Sequence, residues 1–108
     1  MVQKKSQYQT FGQTVGARSF PDATEAELKD LIGTQILIKD AAFKEMQYGE
    51  VAILLFEYPP DAPPELNGDF SVLIGGEVVR KKVKEAIEKK LLPLLGTIVH
   101  DAVYYDIT

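Results

Sequence analysis

Three stretches of the chain have the length and apolar content of β-strands, and they cover residues 34–44, 50–58 and 70–74. The second stretch is apolar on both faces, which is typical of a central strand in a sheet whose two sides are covered. Gly49 lies just before it and is free to take a positive φ, so a turn is expected there. The pattern therefore predicts a hairpin followed by a third strand.

The first predicted strand alternates with a period of two, so successive side chains point to opposite faces of the sheet. We expect one face to carry Ile36, Ile38 and Ala42, and the other to carry Leu37, Lys39, Ala41 and Phe43.

After a Gly75-Gly76 break, apolar residues recur at helical spacing and predict a helix over residues 77–92, which Pro93 ends. A final hairpin is expected over residues 94–100 and 102–107, with Asp101 near its turn. The buried side of the helix is expected to carry Val79, Val83, Leu91 and either Ala86 or Ile87.

The first 21 residues are polar and rich in turn-forming residues, which predicts an extended arm with a short strand over residues 8–11. A capping box then indicates a short helix, because Thr24 and Glu27 have the spacing that satisfies two free backbone donors. Gly33 would end this helix. We expect residues 1–30 to form an arm and brace and residues 31–108 to form the main domain.

The predicted order is two strands, a third strand, a helix and two further strands. It indicates a mainly β, α+β domain with one or two helices: a five-stranded Greek-key barrel of the oligonucleotide/oligosaccharide-binding (OB) type, with a helix between strands three and four.

The composition places limits on partners and location. The net charge is −4, which argues against a broad electrostatic grip on nucleic acid, although six of the twelve Lys and Arg residues fall in residues 80–90. The chain has no cysteine, which excludes disulfides and fits a reducing cytoplasm. Because no segment approaches the ~20 apolar residues that cross a bilayer, we expect a soluble, cytoplasmic protein without a membrane partner.

The chain resembles the uncharacterised, small OB-fold proteins of phages and mobile elements that are similar to single-stranded-DNA-binding proteins. The segments that carry the resemblance are residues 32–34, 48–52, 70–71, 92–99 and 104–105. The resemblance implies non-catalytic binding of single-stranded nucleic acid, with bases stacked on aromatic rings and phosphates contacted by cations.

In OB folds the binding groove crosses strands two and three, and the loops between strands one and two and between strands four and five flank it. Aromatic rings interleaved with lysines at these positions have the chemistry that the groove needs, although aromatic residues also build small cores. The residues expected in the groove are Lys39, Phe43, Lys44, Met46, Gln47, Tyr48, Phe56, Tyr58, Tyr104 and Tyr105.

The basic helix is a weaker candidate for a contact, because in an OB barrel it caps the end away from the groove. Its cations, Arg80, Lys81, Lys82 and Lys84, either form a solvated face or make a secondary contact with phosphates or an acidic partner. The alternative function is therefore a protein-interaction or assembly module. In that case residues 1–21 would add to a neighbour's sheet edge in a homo-oligomer.

No catalytic motif is present in the chain. His100 is the single histidine, and with Asp101 or Asp106 it would supply at most half of a metal site or an acid–base pair. The Gly75-Gly76 pair lacks the spacing of a phosphate-binding loop and is interpreted as a tight turn. We expect no enzyme activity, no metal and no cofactor.

Overall fold

Residues 20–101 and 103–108 are described by a computed structural model of the chain, so the predicted strand over residues 8–11 lies outside the described residues. The strands are β1 (Thr24–Glu25), β2 (Gln35–Met46), β3 (Gly49–Glu57), β4 (Phe70–Ile74), β5 (Leu94–Asp101) and β6 (Tyr104–Ile107). The helical segments are the helix α1 (Glu77–Glu88) and two 3-10 turns, Leu28–Asp30 and Pro64–Leu66.

The strands form one six-stranded sheet in the order β1-β4-β3-β2-β5-β6. β1 runs parallel to β4, and every other neighbouring pair is antiparallel. Within the described part of the chain β1 and β6 are the two edges, so the sheet is open. A mainly β, α+β class is thus confirmed, and β2 to β6 with α1 correspond to the five strands and the helix of the prediction.

The core lies on one side of this sheet. We call the side that carries Ala52, Leu54 and Phe56 the inner face, because these residues share a buried cluster with side chains of α1. Ile53 alternates with them and therefore lies on the opposite, outer face. The other buried members of the inner cluster are Leu31, Ile36, Ile38, Phe70, Val72, Ile74, Val79, Val83 and Ile98.

β2 contains one extra residue that changes the phase of its alternation. Its pairing with β3 passes from Ile38 directly to Asp40, so Lys39 has no residue opposite it. Ile38 faces the core as predicted, but Ala41 now packs against the core, whereas Ala42 pairs with outer-face Ile53. The predicted faces were wrong beyond Lys39 because strict alternation does not foresee a bulge.

The short helix predicted from residue 24 is replaced by a strand and a 3-10 turn. Thr24 donates its N–H to the carbonyl of Asp69 at 2.9 Å, and Ala26 donates to the carbonyl of Ser71 at 2.8 Å. The capping box was a wrong interpretation, because the Thr24 N–H that the cap would satisfy belongs to the sheet. Leu31, from the predicted apolar stripe, is nevertheless fully buried in the core.

The helix α1 is shorter than predicted, because it ends at Glu88 and Lys90 has a positive φ of 57°. The side chains that it buries are Val79, Val83 and Ala86. Ile87 and Leu91, which the prediction also considered for the core, are 39% and 48% exposed. In the described ranges, no helix has the length and apolar character that crossing a membrane requires.

Candidate binding surface

The β2–β3 hairpin projects an aromatic ring into solvent. Met46 pairs with Gly49 at its end, and Gly49 has a φ of 125°, which a residue without a Cβ adopts with little strain. Tyr48 lies in this turn and is 94% exposed. Lys44 lies beside the turn, opposite Val51, and forms no ion pair with another described residue. The hairpin therefore combines an accessible ring with a cation that pairs with no described carboxylate.

The β5–β6 hairpin carries a second group of aromatic rings. His100 and Tyr105 are paired across the two strands, and their rings stack with centroids 4.5 Å apart and planes inclined by 20°. Tyr105 also packs against the core, whereas Tyr104 is 42% exposed. Tyr104 is therefore the outward-facing member of the tyrosine pair.

Two of the predicted groove aromatics form a corner of the core. Phe56 is completely buried, and its ring centroid lies 5.4 Å from that of Tyr58 and 6.0 Å from that of Phe70. Tyr58 meets Phe70 edge-on at 5.0 Å. Burial, and secondarily the charge of Asp30, raises the pKa of the Tyr58 hydroxyl. Phe56 cannot stack on a base in this structure, because both of its faces are inside the protein.

Tyr58 has a more accessible side than Phe56. It lines a cleft of about 540 Å³ together with Leu37, Pro59, Leu66 and Leu95. The cleft lies where the proline-containing loop after β3 folds back beside the start of β2. Tyr58 is thus positioned at a concave surface, although its ring is held by aromatic neighbours.

Lys39 is held by two carboxylates. Its Nζ donates to Asp69 Oδ1 at 2.6 Å and to Glu57 Oε2 at 2.9 Å. The hydrogen bond to Asp69 and then the bond to Glu57 raise the pKa of the Lys39 ammonium. Since two negative charges surround this lysine, it offers little attraction to a phosphate.

The Glu50 carboxylate forms ion pairs with two cations of α1. Its Oε1 accepts hydrogen bonds from Lys84 at 2.7 Å and from Arg80 at 3.2 Å. The bond from Lys84, and then that from Arg80, lowers the pKa of Glu50. The Lys84 ammonium also lies 5.1 Å from the ring centroid of Phe43, which is half-buried on the core side of β2.

The two remaining cations of the predicted basic patch are paired as well. The Nζ atom of Lys81 lies 3.1 Å from Oε2 of Glu77, which is one helical turn earlier. The Nζ atom of Lys82 lies 2.8 Å from Oδ1 of Asp106 and donates a hydrogen bond to the carbonyl oxygen of Ile107 at 3.1 Å. Hydrogen bonds from these lysines lower the pKa of the Glu77 and Asp106 carboxyls. The four cations of the predicted basic patch are therefore held in ion pairs within the domain.

The residues predicted for one groove are distributed over separate places. The β2–β3 hairpin carries Lys44, Met46, Gln47 and Tyr48, and the β5–β6 hairpin carries Tyr104 and Tyr105. Phe43, Phe56 and Tyr58 pack against or within the core, and Lys39 lies in the bulge of β2. Sequence reasoning missed the role of His100 as a stacking partner, which follows from the hairpin register once the turn is placed.

A small apolar cavity lies beside the end of α1. It has a volume of about 200 Å³, and its walls include Val83, Leu92, Leu94 and Ile107. Leu94 and Leu95, which also line it, are 41% and 61% exposed, and Leu91, just before Leu92, is 48% exposed. The cavity thus has exposed aliphatic side chains at its wall.

Comparisons with protein families, with curated proteins and with solved structures find no match to this chain. Among the described residues, no group of three or more His, Cys, Asp or Glu side chains is arranged to hold a metal ion.

Proposed function

We propose that the domain is an OB-like barrel that binds single-stranded nucleic acid without catalysing a reaction. β2, β3 and β4 follow one another as neighbours, and β5 returns through α1 to lie beside β2. The spatial order β5-β2-β3-β4 is the connectivity of a Greek key. Such connectivity, with a helix before the fourth strand of the set, supports a partly open barrel of this type.

A close approach between distant parts of the sheet also supports this proposal. Gly76 follows β4, and a Cβ placed on it would lie 3.7 Å from both the Cβ and the carbonyl oxygen of Tyr105 in β6. β4 and β6 are far apart in the strand order, so the sheet must curl to bring them together. The curvature is what an incompletely closed barrel requires.

The observation that carries the function is the placement of exposed aromatic rings on two hairpins. Tyr48 lies on the turn between the first and second strands of the proposed barrel, and Tyr104 follows the turn between the fourth and fifth. These are the two connections that flank an OB-fold groove. Base stacking on Tyr48 and Tyr104, with Lys44 contacting a phosphate, would bind a strand with little sequence preference.

The test is a titration of fluorescent oligo-dT of about twenty nucleotides, followed by anisotropy at low and moderate salt. We expect Tyr48→Ala to weaken binding by about 1–3 kcal/mol, or roughly 5- to 150-fold, and Tyr48→Phe to retain most of it. We expect Lys44→Ala to reduce the slope of log K against log salt by about 0.7. The control is Lys81→Ala, because Lys81 is an exposed lysine that is paired with Glu77.

Two results would contradict the proposal. One is the absence of binding at tens of micromolar protein in low salt. The other is binding that Tyr48→Ala and Lys44→Ala leave unchanged while Lys81→Ala weakens it, because the strand would then lie on α1.

The second candidate function is a protein-interaction or assembly module, and the exposed Leu91, Leu94 and Leu95 favour it. Exposed aliphatic side chains beside an apolar cavity are typical of contacts between proteins. In this reading, residues 1–21 would add to the sheet edge of a neighbouring copy. Light scattering across a wide concentration range would detect the homo-oligomer, and Leu95→Ser should weaken it if the aliphatic surface contributes. A monomer at every concentration would contradict self-assembly.

A further inference from the structure

The cleft that Tyr58 lines has the size and the walls of a small-molecule site. Its volume of about 540 Å³ falls within the range of about 300–1,000 Å³ that is typical of such sites. Leu37, Pro59 and Leu66 are among the residues that line it, so much of its wall is apolar. The apolar body of a ligand would therefore be transferred out of water when it entered the cleft, which is favourable.

Polar groups of the cleft are available to a ligand. The Tyr58 hydroxyl and the side-chain amides of Gln35 and Asn67 form no hydrogen bond with another described residue. Burial, and secondarily the charge of Asp30, raises the pKa of the Tyr58 hydroxyl, so this group stays protonated and can both donate and accept a hydrogen bond. A few polar groups within apolar walls are what fixes the orientation of a small ligand.

One carboxylate gives the lining of the cleft its charge. Glu57 lines the cleft, and its Oε2 atom accepts a hydrogen bond from Lys39 Nζ at 2.9 Å. Its Oε1 atom accepts no hydrogen bond from a described residue, and the side chain is 42% exposed. Because a carboxylate can accept several hydrogen bonds, Glu57 is able to bind a second cation without releasing Lys39.

The loop that borders the cleft adds negative charge and no positive charge. Residues 57–69 contain four carboxylates and no Lys, Arg or His. Lys39 pairs with two of these carboxylates, and the other two, those of Asp61 and Glu65, have no cationic partner among the described residues. This end of the sheet therefore attracts a cation and repels an anion.

We infer that this cleft binds a small organic cation, namely a protonated amine carried on an apolar body. The ammonium group donates a hydrogen bond to Glu57, and the apolar body lies against Leu37 and Pro59. The cleft and Tyr48 lie at opposite ends of β3, whose nine residues span about 25–30 Å. The inference therefore does not rest on the nucleic-acid proposal, and failure of either one leaves the other intact.

Three indole compounds that differ in one group provide the test. They are tryptamine, which is a cation, tryptophol, which is neutral, and indolepropionate, which is an anion. The chain has no tryptophan, so indole fluorescence comes from the probe alone when the full chain is titrated into it. We expect tryptamine to bind about fivefold more tightly than tryptophol, which is the upper end of what a partly exposed ion pair contributes. Indolepropionate should bind more weakly than either.

Two substitutions separate the charge of the cleft from its walls. Glu57→Gln keeps the shape of the side chain and should abolish the preference for tryptamine over tryptophol, whereas Leu37→Ser should weaken the binding of both probes by a similar factor. The matched control is Glu45→Gln, which removes the same charge at the other end of the β2–β3 hairpin and should leave all three affinities unchanged. Circular dichroism without a probe checks that each variant is folded. The comparison of the three probes on the unaltered chain tests the inference even if a variant does not fold.

Three results would overturn the inference. Equal binding of the three indole compounds would show that the cleft does not select a cation. A preference for tryptamine that survives Glu57→Gln, or that Glu45→Gln reduces equally, would reflect the net charge of the chain rather than the cleft. Absence of tryptamine binding at millimolar concentrations would exclude a small cation, and binding of a peptide with lysine beside leucine in its place would assign the cleft to a protein partner.

Discussion

His100 stacks on Tyr105 with ring centroids 4.5 Å apart and planes inclined by only 20°. The two residues face each other across β5 and β6, so the stack belongs to the hairpin itself. Tyr105 also packs against the core, whereas Tyr104, the preceding residue of β6, is 42% exposed. The single histidine of the chain therefore takes part in an aromatic contact within the hairpin.

Two substitutions of His100 distinguish the contribution of its aromatic ring from that of its ionisable nitrogen atoms. Facing aromatic pairs stabilise a sheet by about 0.2–1 kcal/mol, so we expect His100→Ala to lower the free energy of unfolding by that amount. His100→Phe keeps a ring and should remain close to the parent. Urea unfolding of the three proteins makes the measurement, and equal losses in both variants would show that the stack is not the stabilising feature.

The dependence of protein stability on pH should show the ion pairs of the Glu50 carboxylate with Lys84 and Arg80. The pKa of Glu50 is lowered in the folded state by Lys84 and Arg80, so the folded protein favours the ionised carboxylate. The resulting stabilisation is present above the ordinary pKa of 4.5 and is lost as the pH falls through the lower, folded value. We expect Glu50→Gln to be less stable than the parent at neutral pH and to show a shallower decline in acid.

Thermal unfolding between neutral pH and pH 3 or below is the appropriate measurement. Glu65→Gln is the control, because this substitution removes the same charge. Glu65 is exposed on the Pro64–Leu66 turn and has no cationic partner among the described residues. If Glu50→Gln and Glu65→Gln follow the same curve, the ion pairs at Glu50 contribute nothing measurable.

Alanine at two aromatic positions should distinguish core from surface. Phe56→Ala removes a fully buried ring and should destabilise the protein by about 3–5 kcal/mol. Tyr48→Ala removes a ring that is 94% exposed and should change stability by no more than about 0.5 kcal/mol. Chemical denaturation of both variants checks this, and similar losses would contradict the assignment of these rings.

The turn of the β2–β3 hairpin depends on Gly49. Its φ of 125° is unfavourable for any residue with a Cβ, so Gly49→Ala should cost about 1–3 kcal/mol. Gly75→Ala is the control, because its φ is ordinary and an added Cβ would make only a normal contact with Val51, at 3.5 Å. Denaturation midpoints that shift equally would mean that backbone strain at Gly49 is not the cause.

The main strands were predictable because each is specified by its own residues. The apolar content of residues 50–58 and the Gly49 turn are local signals, and β3 follows them closely. The N-terminal helix failed because the capping pattern is also local, whereas the N–H of Thr24 is taken by Asp69, which lies far along the chain. Pairing of this kind depends on the assembled sheet.

The candidate site was less predictable than the fold. Phe56 lies on the inner face of β3 and is buried, whereas Tyr48 lies in the turn before that strand and is exposed. The sequence of β3 is apolar on both faces, so it did not show which of its side chains would face the core. The basic helix was misleading for a related reason, because the Glu50 that neutralises Arg80 and Lys84 comes from another element. The number of basic residues in the helix sequence therefore overstated the positive charge at the surface of the helix.

Because Lys39 has no residue opposite it in β3, β2 can change its length by one residue at this position. If Lys39 were deleted, Ile38 and Asp40 would become adjacent and would keep their present partners, Phe56 and Leu55. The strand would lose a bend and an ion pair, but its core side would be retained. A deletion elsewhere in the middle of β2 would instead exchange buried and exposed positions. Lineages of this protein should therefore gain or lose a residue of this strand at position 39.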